Sequence, residues 1–113
     1  MWYIFPQLKG LGRSSTSVHY AINDLDEAKA FLRHPLLGSR LIEISKVLLS
    51  LPHSNPKQVF GTPDDLKLRS SMTLFAEADP EQQVFNDVLT KFFHGQPDPR
   101  TLELLRKNKN PGD

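Results

Sequence analysis

The sequence contains no cysteine, carries almost no net charge and has no long apolar run. Without cysteine it cannot form disulfides, use a thiolate nucleophile or bind zinc through sulfur. A formal charge of +1 creates no strong field, so the composition does not predict a nucleic-acid partner. The apolar start, Met1 to Phe5, is too short for a membrane span or a signal sequence. We therefore expect a cytoplasmic protein that binds neither nucleic acid nor membranes.

The chain of 113 residues has the length of one ordinary domain. Its apolar residues recur at three- and four-residue steps, and no segment shows the two-residue alternation of a strand. We predict an all-α fold, a single compact domain over residues 1–107 with about six or seven short helices, one of them central and surrounded by the others. The polar residues 108–113 predict a mobile tail.

Helix starts are predicted by a capping residue followed by proline. The pairs that show this pattern are Asn55–Pro56, Thr62–Pro63, Asp79–Pro80 and Asp98–Pro99. An earlier helix, from Leu25 to His34, is predicted by Asp24 and Glu27, which form a capping box, and by Pro35, which ends it.

Apolar faces predict one further helix, from Leu37, and indicate the extent of the two that begin near Asp79 and Asp98. The stripe from Leu37 to Leu51 predicts the helix at the centre of the core. A second face, from Val84 to Phe93, ends at Gly95. The last helix is expected from Pro99 to about Lys107.

The segment from Gly61 to Phe75 begins like a helix but places Ser70, Ser71 and Thr73 in the helix interior, where such residues are unfavourable. Either close helix packing or a polar ligand could explain them. A structural explanation of the whole segment makes Asp65 and Arg69 a surface ion pair on a solvated face. The buried stripe would then consist of Leu68, Met72 and Phe75.

A second unusual segment lies near the N-terminus, where Gly10 and Gly12 precede Arg13 and a run of serines. Backbone amides at such a loop, with an arginine beside them, can hold a phosphate or carboxylate. The alternative is a turn whose serines cap a short helix. We predict a binding module for a small anionic or phosphorylated ligand, built where this loop meets the later helix. Its candidate ligand residues are Gln7, Lys9, Arg13, Ser14, Lys67, Arg69, Ser70 and Ser71.

Catalytic and metal-binding patterns are absent from the sequence. The histidines show no metal-ligand spacing, and no serine lies in a nucleophile elbow, so we expect no metal and no cofactor. An enzyme acting on a nucleotide or phosphoester is a less favoured alternative, with its base among Asp64, Asp65, His19 and Tyr20. A third alternative is a protein-interaction domain without a small ligand.

Four long stretches carry a family resemblance: MWYIFPQLKGLGRSS, HPLLGSRL, FGTPDDLKLRSSMTLFA and DPRTLELL. In this order they resemble the signatures of domain of unknown function 1810, a bacterial and fungal family sometimes labelled calpastatin. The resemblance implies a small, mainly α fold with one helix surrounded by others. It implies no activity, and nothing in the sequence supports the calpastatin label.

The resemblance also implies that relatives begin with an additional helix before the position of Met1. Two expectations follow. Either Met1 is an internal methionine of a longer native protein, or the short chain is real. In the second case the apolar face left by that helix would make the chain a homo-oligomer or a poorly soluble monomer.

Overall fold

The computed structural model describes residues 22–52, 55 and 64–109, without the side chains of residues 64 and 107–109. These ranges form five helices and no strand. They are α1 (Leu25–Arg33), α2 (Leu37–Ser50), α3 (Asp64–Ala78), α4 (Gln83–Phe93) and α5 (Pro99–Lys109). The all-α prediction is confirmed. The prediction of six or seven helices is not, because the described ranges contain five.

The start of α1 confirms the predicted capping box. The side chain of Asp24 accepts a hydrogen bond from the backbone N–H of Glu27 at 2.8 Å. The Glu27 carboxylate reaches back past the cap and accepts from the backbone and side-chain amides of Asn23, at 3.2 and 2.8 Å. α1 ends at Arg33, and His34 is extended, as the residue before a proline prefers to be.

His34 also starts the next helix. Its Nδ1 accepts hydrogen bonds from the backbone N–H groups of Leu36, at 3.2 Å, and Leu37, at 3.1 Å. These backbone N–H groups lie at the start of α2, where donors lack intrahelical acceptors, and the imidazole nitrogen supplies the acceptor. One imidazole therefore joins the end of α1 to the start of α2.

The central helix is α3, and the prediction that α2 occupies the centre is wrong. Leu68, Met72 and Phe75 of α3 are fully buried, which confirms the predicted apolar stripe. The ring of Phe75 lies between those of Phe31, at 5.4 Å, and Phe85, at 5.7 Å. α3 contacts α1, α4 and α5, whereas α2 packs mainly on α1 and α4.

The start of α4 differs from the prediction at Asp79–Pro80. Residues 80 and 81 form a turn in which Gln82 donates to the Asp79 carbonyl at 3.1 Å, and α4 begins at Gln83. Its predicted apolar face is confirmed by the burial of Val84, Phe85, Val88, Leu89 and Phe92.

A lysine ties α4 to the end of α2. The Nζ of Lys91 donates to the backbone carbonyls of Leu48 at 2.8 Å, Leu49 at 2.9 Å and Leu51. These include carbonyls that the last turn of a helix leaves without intrahelical partners, and a cation suits that end of the helix dipole. The ammonium also lies 5.1 Å from the centre of the Phe92 ring.

The pairs at Asn55–Pro56 and Thr62–Pro63 each involve residues outside the described ranges, although α3 does begin directly after Pro63. α5 begins at Pro99, as predicted, and continues to Lys109, slightly beyond the expected end. No helix of the described residues combines the length and the apolar character needed to span a membrane.

Candidate functional site

The predicted ligand residues fall into two groups. Those of the N-terminal loop lie outside the described residues: Gln7, Lys9, Arg13 and Ser14. The other group lies on α3, the most deeply buried helix, where Lys67 and Arg69 are half-buried and Ser70 and Ser71 are buried. The geometry of α3 separates this second group onto different sides of the helix.

Arg69 binds the segment between α4 and α5. Its Nε donates to the carbonyl of Gln96 at 3.1 Å and its Nη2 to the carbonyl of Pro97 at 3.0 Å. The guanidinium carbon also lies 6.0 Å from the centre of the Phe93 ring. The expected surface ion pair between Arg69 and Asp65 is therefore wrong, because Arg69 pairs with carbonyl oxygens and Asp65 is buried.

The same side of α3 holds the start of α5 through Asp98. The Oδ2 of Asp98 accepts from the backbone N–H of Thr101 at 3.0 Å and from its hydroxyl at 2.6 Å. The Ser70 hydroxyl is 3.4 Å from the same oxygen, and the Thr73 hydroxyl accepts the backbone N–H of Asp98 at 2.8 Å. Ser70, Thr73 and Arg69 thus form one junction between α3 and the chain that leads into α5.

Ser71 lies on another side of α3 and behaves differently. It is fully buried, and its hydroxyl oxygen has no hydrogen-bond partner among the residues that the structure describes. Most of the other serines and threonines of the described helices donate to a backbone carbonyl three or four residues earlier: Ser39, Ser45, Ser50, Ser70, Thr73 and Thr90. Thr101 donates to Asp98 instead. Among these residues Ser71 alone keeps an unused hydroxyl in the interior.

Lys67 precedes Ser71 by one turn. Residues four apart lie on the same face of an α-helix, so the half-buried ammonium side chain and the hydroxyl are neighbours on α3. Arg69 is displaced from Ser71 by about 160° around the helix, since each residue advances about 100°. The structure therefore brings Lys67 and Ser71 to one face and leaves Arg69 and Ser70 in the junction with α5.

Asp65, in the first turn of α3, is the second residue with an unused buried oxygen. Only 3% of its surface is exposed, and within the described ranges its Oδ1 has no hydrogen-bond partner. A buried carboxylate is costly unless it is paired or hydrogen-bonded. Sequence reasoning placed Asp65 on a solvated face, because an acid four residues before an arginine is the usual pattern of a surface pair.

Within the described part of the chain, no three histidine, aspartate or glutamate side chains lie close enough together to hold a metal ion. The chemistry available on α3 is therefore that of hydroxyl, ammonium and carboxylate groups.

Comparison with known proteins gives a family and one solved structure. No curated protein matches the chain. The crystal structure, at 1.38 Å, of the conserved hypothetical protein Rv1873 from Mycobacterium tuberculosis is similar, with a TM-score of 0.91 and 48% sequence identity. The match covers 93% of this chain and 75% of that one. A family model described as protein of unknown function (DUF1810) matches residues 1–105. The resemblance noted in the sequence is thus confirmed, and this chain belongs to the DUF1810 family.

Proposed function

We propose that this protein binds a small anionic or phosphorylated ligand beside the face of α3 that carries Lys67 and Ser71. The remainder of the site comes from the N-terminal loop, through Gln7, Lys9, Arg13 and Ser14. On this proposal Arg69 and Ser70 act indirectly, because their bonds to the segment before α5 hold α3 in position.

The unused hydroxyl of Ser71 is the observation that carries the proposal. A buried polar group without a partner costs about 1–3 kcal/mol, and alanine would avoid that cost at the same position. A buried serine or threonine in a helix usually avoids this cost by donating to the carbonyl one turn earlier, as Ser70 and Thr73 do on the same helix. A hydroxyl kept without such a bond suits an external acceptor, such as a phosphate or carboxylate oxygen.

Lys67 supplies the charge that this acceptor needs. An ammonium group is a point charge with three donors on a flexible stem, and it binds phosphate in many sites. Near a largely buried helix its attraction for an anion is screened less than on an open surface. A ligand with two or three negative oxygens could therefore contact both Lys67 and Ser71.

Thermal unfolding tests the proposal. We expect inorganic phosphate, nucleotides, sugar phosphates or organic acids to raise the melting temperature of the wild-type chain, because a ligand that binds only the folded state stabilises it. Without ligand, Ser71→Ala should be as stable as wild type or more stable by up to about 1 kcal/mol. The same variant should lose the ligand-induced shift.

Ser45→Ala is the matched control, since Ser45 is equally buried but donates to the Leu41 carbonyl at 2.7 Å. It should keep the ligand-induced shift whatever its effect on stability. Retention of the full shift in Ser71→Ala, or no shift of the wild type with any of these compounds, would overturn the proposal.

An enzyme acting on a nucleotide or phosphoester is the second candidate, and the buried carboxylate of Asp65 favours it. A carboxylate with a free oxygen, such as Asp65 Oδ1, can take a proton from an attacking hydroxyl or water. Asp65→Asn separates the two candidates. An enzyme would lose turnover of the bound compound while keeping the thermal shift, whereas a pure binding module would show no turnover in either form.

A further inference from the structure

α2 carries an apolar surface that the described fold does not cover. A groove of about 390 Å³ runs along it, here called the α2 groove, lined by Phe31, Leu37, Arg40, Leu41, Glu43, Ile44 and Val47. Three large apolar side chains of α2 and the residue before it are exposed there or beside it: Leu36 (50%), Leu37 (40%) and Val47 (48%). Exposed apolar residues gathered on one helix are typical of an interaction surface.

The spacing of this surface is that of a helix pair. Leu37, Arg40, Ile44 and Val47 follow one another at steps of three, four and three residues, which is the seam spacing of packed helices. Leu41, Ser45 and Leu48 form the neighbouring buried stripe toward the core of the same chain, and Leu41 also lines the groove. α2 therefore has two neighbouring packing faces, and the core of the fold fills the inner one.

The charged residues that line the α2 groove indicate which partner packs on this exposed face of α2. Arg40 and Glu43 have opposite charges and lie three residues apart. When two copies of one helix pack antiparallel across a two-fold axis, residue i of one copy meets residue j of the other, and j meets i. A register that places Arg40 opposite Glu43 of the partner subunit forms this pair twice. It also places Leu36 opposite Val47 of the partner subunit.

We infer that the α2 groove is the interface of a symmetric homodimer in which antiparallel copies of α2 pack on each other. Burial of the apolar side chains drives the association, and the two Arg40–Glu43 pairs set its orientation. This interface lies on α2 and is independent of the ligand site proposed on α3. In this inference, the homo-oligomer that was one expectation from the sequence forms through the α2 groove.

Light scattering and sedimentation equilibrium of the full chain test this inference. The wild type should dimerise with increasing concentration, and Val47→Glu should remain monomeric with an unchanged circular dichroism spectrum. Arg40→Glu and Glu43→Arg should each raise the dimer dissociation constant about tenfold or more, since they oppose like charges. The double variant Arg40→Glu/Glu43→Arg should restore dimerisation.

Leu66→Glu is the control, because Leu66 is 54% exposed on α3, away from the groove. It should dimerise like the wild type. A wild-type chain that stays monomeric at millimolar concentration, or a dimer that Val47→Glu does not weaken, overturns the inference. If the double variant has the same dimer dissociation constant as Arg40→Glu and Glu43→Arg, the proposed register is overturned. A monomer that binds a helix of a different sequence in the groove assigns the surface to another partner.

Discussion

At Gly38 the backbone of α2 lies close to the backbone of Leu32 in α1. A Cβ atom there would lie 2.1 Å from the backbone carbonyl oxygen of Leu32. Because backbone atoms cannot rotate away as a side chain can, α1 and α2 would have to separate. We predict that Gly38→Ala lowers the free energy of unfolding by about 3 kcal/mol in urea denaturation, despite the better helix propensity of alanine.

The neighbouring Ser39 supplies the control for this prediction. Ser39 is exposed, so Ser39→Ala should change the free energy of unfolding by no more than about 0.5 kcal/mol. Equal stability of the two variants would show that α1 and α2 are not in contact at Gly38.

His94 ends α4 in the left-handed conformation, with φ of 56°, and donates its N–H to the Leu89 carbonyl. Left-handed backbone costs a residue with a Cβ atom about 1 kcal/mol, a cost that glycine avoids. We predict that His94→Gly raises the free energy of unfolding by about 0.5–1 kcal/mol. His94→Ala keeps the strained backbone and should not be stabilised, so an equal gain in both variants would contradict the explanation.

At the scale of single residues, the sequence predicted contacts between residues a few positions apart, but not contacts between residues far apart in the chain. The Asp24 cap bonds a residue three positions later, so its pattern is visible in the sequence. Arg69 bonds carbonyls 27 and 28 residues away, and backbone carbonyls carry no sequence signal. The nearest visible acid, Asp65, therefore suggested the wrong partner.

At the scale of the elements, hydrogen bonds attach the first turn of α5 to α3, and Leu104 and Leu105 pack against the core further along the helix. Asp98 caps the helix through Thr101 and also approaches the Ser70 hydroxyl of α3. We predict that Asp98→Ala lowers the free energy of unfolding by about 1–2 kcal/mol through loss of the cap. Hydrogen exchange should accelerate most in residues 99–105.

Asp87→Ala is the matched control for this prediction, since Asp87 is an exposed aspartate inside α4. It should leave exchange in residues 99–105 unchanged. Faster exchange spread evenly over all five helices of the Asp98→Ala variant would show that α5 does not open separately.

The identity of the central helix could not be read from apolar pattern alone. α2 shows a broad apolar stripe because it carries apolar side chains on a buried face and on a neighbouring exposed face, to which Leu37 and Val47 belong. α3 is buried on nearly all sides, yet Ser70, Ser71 and Thr73 make its sequence look half polar. Burial of small polar side chains depends on hydrogen bonds across the fold, which the sequence does not display.

The start of α4 was also predicted incorrectly from the sequence. Asp79 and Pro80 have the composition of a helix start, but they form the turn that follows α3. An aspartate before a proline suits both structures. At Asp98 and Pro99 the same pair does begin a helix, and there the Thr101 side chain adds a second bond to the cap.

At the scale of the whole molecule, the two proposed surfaces lie on different helices. The proposed ligand face lies on α3, which contacts α1, α4 and α5, and the proposed dimer face lies on α2, which packs mainly on α1 and α4. Ligand binding and dimerisation can therefore be altered by separate substitutions, Ser71→Ala for the first and Val47→Glu for the second.

The candidate site was predicted from the sequence as a meeting of two segments. Its α3 half is described, and the polar residues chosen there divide between the junction with α5 and the face that carries Lys67 and Ser71. The choice of α3 came from serines that helix propensity does not explain. Which serine lacks a partner depends on the orientation of each hydroxyl, and this could be seen only in the structure.

The most direct test of the proposed ligand site is a crystal structure of the wild-type chain grown with the phosphorylated compound or organic acid that most raises its melting temperature. We predict an oxygen of that compound about 3 Å from the Ser71 hydroxyl and from the Lys67 ammonium. A compound bound elsewhere, with the Ser71 hydroxyl donating to the carbonyl of Lys67, would contradict the proposal.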